Sequence, residues 1–148
     1  MKPYEFLDIS GDAGIRSFGN TALELFLNAA HGMYNLIMDM ESVEKSETIE
    51  VSVTHESAEG LLVAWLNELI FLFDAHGFIG KEIIINDFFF GKDITSSGPL
   101  YSISASLSGE YFDPGRHHGK LLLKAATYHN LNIRNEDGRW TAEIIFDI

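Results

Sequence analysis

Apolar and polar positions along this chain recur with two different periods, and those periods set out its elements. Leu23, Phe26, Leu27, Ala30, Met33, Tyr34 and Ile37 follow one another at three or four residues, the spacing of one helical face. Thr21 with Glu24 reads as a capping box, so a helix is expected over residues 21–38, with His31 off its stripe. A second helix is expected over residues 58–75, capped by Ser57 and closed by Gly77 in the left-handed position. Its apolar residues, from Leu61 to Phe73, leave a narrow polar edge of Asn67, Glu68 and Asp74. A helix apolar over most of its circumference is central or covered on two sides, and Trp65 and Leu69 are expected in the core.

Elsewhere the period is two. Ile49, Val51 and Val53 alternate with Glu50, Ser52 and Thr54, the mark of a half-buried strand. Tyr101, Ile103, Ala105, Leu107, Gly109 and Tyr111 alternate with Ser102, Ser104, Ser106, Ser108 and Glu110, which gives one apolar face and one wet face of serines. Ile83–Ile85 and Phe88–Phe90 read as one strand interrupted at Asn86 and Asp87, followed by turn chemistry at residues 91–93 and 95–99. Residues 121–134 read as a strand, 135–138 as a turn and 140–148 as a final strand. In that last strand Trp140, Ala142, Ile144, Phe146 and Ile148 point one way, and Thr141, Glu143, Ile145 and Asp147 the other. The chain opens on a hairpin, in which Ser10, Gly11, Asp12, Ala13 and Gly14 supply the turn. Segregated helices and a run of strands argue for an α+β fold: two helices packed on one face of a mostly antiparallel sheet, a single two-layer domain over residues 1–148.

Composition narrows the function classes. The chain has 148 residues and no cysteine, which excludes disulfides, thiolate chemistry and cysteine-based zinc sites. Neither an apolar run long enough to span a bilayer nor the apolar core of a signal peptide occurs, so a cytoplasmic, non-membrane protein is expected. The formal charge of -12 repels phosphate, so direct tight binding of nucleic acid is disfavoured, and cations or a basic protein are the better partners. No phosphate loop, dinucleotide fingerprint, zinc-binding helix motif or nucleophile elbow is present.

Few residues are left that carry chemistry. Asp8 and Asp12 flank the opening turn, and like charges held close repel unless a cation or donors compensate. The pair reads as a solvated Asx-turn or as half of a cation site. The final strand places Asp147 next to Ile148 and its main-chain carboxylate. If that end lies beside the Asp12 turn, the oxygens suit Ca²⁺, Mg²⁺ or Mn²⁺; a frayed, solvated tail is the competing reading. His129 reads as a proton carrier, a ligand or a hydrogen-bonded sheet residue. His117 and His118, in the loop at residues 113–119, are expected to be solvated.

Tyr4-Glu5-Phe6-Leu7-Asp8 and Ser10-Gly11-Asp12-Ala13-Gly14-Ile15 resemble the opening motif of the archease family, as do Trp65-Leu66-Asn67-Glu68-Leu69, Lys124-Ala125-Ala126-Thr127-Tyr128-His129 and the final Asp147-Ile148. These short matches span the chain in the family's order. The resemblance implies an accessory protein of the RtcB-type RNA ligase, promoting ligase guanylylation and multiple turnover in tRNA splicing and RNA repair. It also implies a divalent-cation site on Asp12, Asp147 and Ile148; Asp8 and His129 are read, apart from the resemblance, as neighbours of that site. One departure is visible: many members carry His-Thr-Ala between the two acids, and here the residues are Ile9-Ser10-Gly11. Two alternatives to a non-enzymatic activator remain open. One is a chaperone-like modulator of RNA-processing proteins, and the other is a metal-dependent hydrolase working through Asp12 and Asp147.

Overall fold

The computed structural model describes residues 2–95 and 98–148, with 92–95 and 98–99 by backbone alone. Strands β1 (Tyr4–Ile9) and β2 (Asp12–Gly19) form the opening hairpin. Helix α1 spans Ala22–Ile37 and is followed by one helical turn at Met40–Ser42. Strand β3 (Glu47–His55) leads into helix α2 (Ala58–His76). Strands β4 (Phe78–Thr95), β5 (Gly98–Tyr111), β6 (Ala125–Ala126), β7 (Arg134–Glu136) and β8 (Arg139–Asp147) complete the chain.

The fold is α+β, with two helices and antiparallel strand pairs throughout. The strands divide between two sheets, a division the alternation pattern did not disclose. One sheet runs β1-β2-β8-β6, with β7 also on β8, and the other runs β3-β5-β4. Both helices touch both sheets: α1 lies against β1, β2, β4 and β8, and α2 against β3, β4, β5 and β6. This shared core explains why α2 is apolar almost all round. Trp65 and Leu69 are fully buried, and the Trp65 indole N–H donates to the Phe26 carbonyl of α1 at 3.1 Å.

Local chemistry sets the helix ends. The Thr21 hydroxyl accepts from the Glu24 N–H at 3.1 Å, while the Glu24 carboxylate reaches back to the Asn20 N–H. The Ser57 hydroxyl accepts from the Gly60 N–H at 3.0 Å. Gly77 closes α2 at φ 75°, a conformation cheap only for glycine.

Three expected segments differ from the observed ones. The interruption at Asn86 and Asp87 is a bulge within one long β4–β5 pairing. The expected turn at residues 91–93 is backbone of β4; that at 95–99 has Ser96 and Ser97 outside the described residues. Residues 121–134 contain only β6 and the first residue of β7. The N–H groups of Lys120 and Leu121 bond instead to the Ile37 and Leu36 carbonyls at the end of α1, and Asn130 turns the chain at φ 55°. Among the described residues no helix is long and apolar enough to cross a membrane.

Candidate functional site

Residues directly opposed on antiparallel strands share a face, so the register assigns the side chains around the opening hairpin. Ala13 and Ile15 face the core, with Phe146 and Ile144 across from them on β8. The opposite face carries three rows. The first is Glu5, Arg16 and Glu143, in which the guanidinium pairs with both carboxylates. The second is Leu7, Gly14 and Ile145. A Cβ on Gly14 would stand 2.8 Å from the Ile9 Cδ1, so this glycine serves close packing within β2. The turn itself is confined to Ser10 and Gly11, with Gly11 at φ 81°.

The third row begins with Ile9 opposite Asp12. Carrying the Ala13–Phe146 register one residue further sets Asp12 across from Asp147. Ala125 of β6 pairs with Asp147 from the other side. Both acids are exposed at the same end of adjacent strands, and Ile148 follows them. Like charges directly opposite on paired strands are destabilising. Arg16 relieves the first row; among the described residues none of Asp8, Asp12 and Asp147 enters an ion pair. Nor, among those residues, are three or more His, Asp or Glu side chains placed together to hold a metal ion. The chemistry of the donor set, carboxylate and main-chain oxygen without imidazole or thiolate, fits a hard divalent cation with coordination positions left over.

The remaining expected site residues are not gathered into this row. Asp8 pairs with Ala13 and therefore leaves the hairpin on the face opposite to Asp12. His129 is exposed; its N–H donates to the Thr127 hydroxyl at 3.2 Å, and that hydroxyl donates to the Ile145 carbonyl at 2.8 Å. Its main chain is thereby anchored one step beyond Phe146, along β8 and away from Asp147.

Asn67 supports the Asp147 end, a role missed in the sequence. Its side-chain oxygen accepts from the Ala126 N–H at 2.7 Å, and its amide donates to the Ala126 carbonyl at 3.3 Å. A polar residue of α2 thus holds β6 as a second strand would, and β6 holds Phe146 and Asp147. The Lys124 N–H adds a bond to the Asp147 carbonyl at 2.8 Å. The available signal was a lone amide inside a helix otherwise built for burial.

A second acidic cluster lies at the end of β5, and it corrects the reading of the histidine pair. His117 is 3% exposed, while His118 is solvated as expected. The His117 Nδ1 accepts from the Asp113 N–H at 2.8 Å, which leaves Nε2–H to donate to Glu110 at 2.7 Å. Glu110, itself 6% exposed, also accepts from the Glu44 N–H at 2.8 Å and pairs with Arg116. The Arg116 guanidinium first, then the Glu44 N–H and His117, bring its pKa down to about 2. The loop at residues 113–119 folds back far enough to bury what its sequence suggested was wet.

The chain also compares directly with known proteins. Residues 4–148 match the Archease protein family. It is 36% identical to protein archease of Methanosarcina mazei over 147 residues, covering 99% of this chain and 97% of that one. It is 34% identical to protein archease of Pyrococcus furiosus, with both chains covered completely. The solution structure of Methanobacterium thermoautotrophicum protein 1598 superposes with a TM-score of 0.81 at 33% identity, covering 100% of both chains. The crystal structure of an archease, possible chaperone, from Thermotoga maritima shares the fold, with a TM-score of 0.61 at 16% identity over 96% of this chain and 94% of that one. The family match over nearly the whole length, joined to these relatives, places the chain in the archease protein family.

Proposed function

We propose that this archease is a non-enzymatic activator of an RtcB-type RNA ligase and that it works through a divalent-cation site on Asp12, Asp147 and the main-chain oxygen of Ile148. The observation that carries the reading is the unneutralised row: two exposed carboxylates at one end of adjacent strands, with no basic side chain paired to either among the described residues. A Ca²⁺, Mg²⁺ or Mn²⁺ ion held there would supply a positive centre for phosphate oxygens. The protein's own part is to orient Asp147 through β6 and Asn67, to orient Asp12 through the β1–β2 turn, and to leave the site open on its solvent side for a partner's group. An acidic surface suits docking on a cationic, nucleic-acid-handling enzyme. No direct tight binding of nucleic acid is part of this reading, and residence is cytoplasmic, with the ligase.

The test mixes purified protein with its cognate ligase, GTP and Mn²⁺ and follows guanylylation and product turnover. A gain in both supports the reading, and the absence of any gain at every ratio overturns it. Phosphodiesterase or phosphatase activity of the protein alone, lost in Asp147→Ala, would replace it with the hydrolase reading. The description of the Thermotoga protein as a possible chaperone gives a second reading its own assay: suppression of aggregation of unrelated clients, for which no effect is expected.

A further inference from the structure

The sheet that carries the carboxylate row is finished differently at its two ends. At β6 the Asn67 side chain closes it, accepting from the Ala126 N–H and donating to the Ala126 carbonyl. At β1 the main chain is open. The Phe18 N–H donates to the Pro3 carbonyl at 2.9 Å, so Pro3 and Phe18 form a hydrogen-bonded pair. Such pairs alternate along antiparallel strands, and Glu5, Leu7 and Ile9 therefore bond inward to Arg16, Gly14 and Asp12. Tyr4, Phe6 and Asp8 turn their N–H and C=O groups outward. Among the described residues none of those groups has a main-chain partner. In the other sheet, edge strand β4 is broken by register shifts at Gly80/Glu82, Ile85/Asp87 and Phe90/Ile94, irregularities that blunt an edge. The β1–β2 register runs from Tyr4 to Ile9 without a shift. Tyr4 packs against α1, where a Cβ on Gly32 would stand 3.1 Å from its ring, but Phe6 on the same face is 54% exposed.

We propose that β1 pairs antiparallel with β1 of a second copy of this chain, about a two-fold axis at Phe6. The occupant follows from the residues of the edge itself. With the axis at Phe6, that residue faces its own copy and Tyr4 faces Asp8. Each facing pair exchanges two main-chain hydrogen bonds, so every outward group of β1 gains a partner. The two exposed Phe6 rings meet across the axis, a favourable cross-strand pair. Glu5 then stands opposite Leu7, and Lys2 stands diagonal to Asp8, so no like charges are opposed. Other registers lose this. An axis at Glu5 sets Glu5 against its copy, and one at Asp8 sets Asp8 against its copy; like charges directly opposite are destabilising. An axis at Leu7 carries Tyr4 past the strand to Ser10 in the turn. The pairing needs nothing from the carboxylate row: Asp12 and Asp147 lie on β2 and β8 and stay open in both copies.

Sedimentation equilibrium of native protein and of Phe6→Lys over one concentration series tests the pairing, with circular dichroism as the control for folding. Native protein is expected to pass from the mass of one chain to that of two as concentration rises. Phe6→Lys, which opposes like charges at the axis, is expected to associate at least about tenfold more weakly. Register is read separately with cysteine, which the chain lacks. Opposed Cα atoms in a hydrogen-bonded pair lie about 5.5 Å apart, within disulfide reach. Mild oxidation should therefore link Phe6→Cys into a covalent dimer and leave Lys2→Cys, distant from its copy, unlinked. A single chain at every concentration overturns the proposal. So does a dimer that Phe6→Lys leaves intact, or a failure of Phe6→Cys to link more readily than Lys2→Cys. If native protein stays single and the Tyr4, Phe6 and Asp8 amides gain protection from exchange only when the purified ligase is added, β1 takes a strand of another protein and the second copy is wrong.

Discussion

Glu110 and the Asp12–Asp147 row are carboxylate sites on opposite terms with the rest of the molecule. Glu110 is enclosed and receives a main-chain N–H, an imidazole N–H and a guanidinium. The row is open to solvent and, among the described residues, forms no ion pair. A carboxylate whose lone pairs are filled by its own chain has nothing left to offer a ligand, and its removal is felt by the fold. One whose charge stays uncompensated costs the fold a little repulsion and remains free for a cation or a partner. Arg16 sharpens the contrast, because it quenches the first row of the same sheet and does not reach the third.

The contrast breaks at its strongest point if Glu110→Ala is harmless. That change leaves the buried His117 Nε2–H without its acceptor and takes one from the Glu44 N–H, while Arg116 keeps Asp113; a group buried without a partner is costly. The largest fall in Tm among the substitutions in this comparison is expected, with Mn²⁺ affinity of the surviving folded protein as in native. Asp147→Ala is the mirror case: calorimetric titration should show Mn²⁺ affinity lower by at least about tenfold, while circular dichroism and Tm match native protein or show a slight gain from relieved repulsion. A fall in Tm comparable to that of Glu110→Ala would erase the difference between the two sites.

Acid provides a graded version of the first test. The folded pKa of Glu110, about 2, lies below its unfolded value. Its contribution is therefore present above the ordinary carboxylate range and is lost as pH falls through that range toward the folded value. Tm measured from about pH 5 down to about pH 2 should fall more steeply for native protein than for Glu110→Gln, which has no carboxylate to protonate there. Equal slopes would show that Glu110 does not contribute. Next in size is Asn67→Ala, which frees β6 from α2 and should lower Mn²⁺ affinity severalfold through Asp147 while Asn67→Gln restores part of it; no change on titration would detach β6 from the site. The smallest effect is expected for Asp8→Ala, whose side chain leaves by the other face; a loss of Mn²⁺ affinity as large as that of Asp147→Ala would place Asp8 among the ligands.

Helices, caps and strands with a clean period were legible because their causes are local. Thr21, Ser57 and Gly77 act on main-chain groups within a few residues, and the alternation from Tyr101 to Tyr111 follows from one wet face and one dry face. Asp137 and Gly138, both at positive φ, turn β7 into β8 as an Asp-Gly pair should. Residues 121–134 misled because their N–H groups bond to the end of α1 and to β8, which lie far away in the chain.

The residue types of the proposed site, Asp12, Asp147 and Ile148, were also readable, and so was the family resemblance that singled them out. Their sequence did not say that Asp12 and Asp147 end adjacent strands on one face, or that Asp8 lies on the other. Nor did it say that Asn67 steadies Asp147 through β6, or that a loop histidine is buried against Glu110. Each of these depends on strand register and on which segments the core draws together. A chain encodes its periodicities in neighbouring residues, but a register between β2 and β8 is decided only when Ala13, Ile15, Ile144 and Phe146 are buried together in one core, and the placement of every carboxylate follows from that choice.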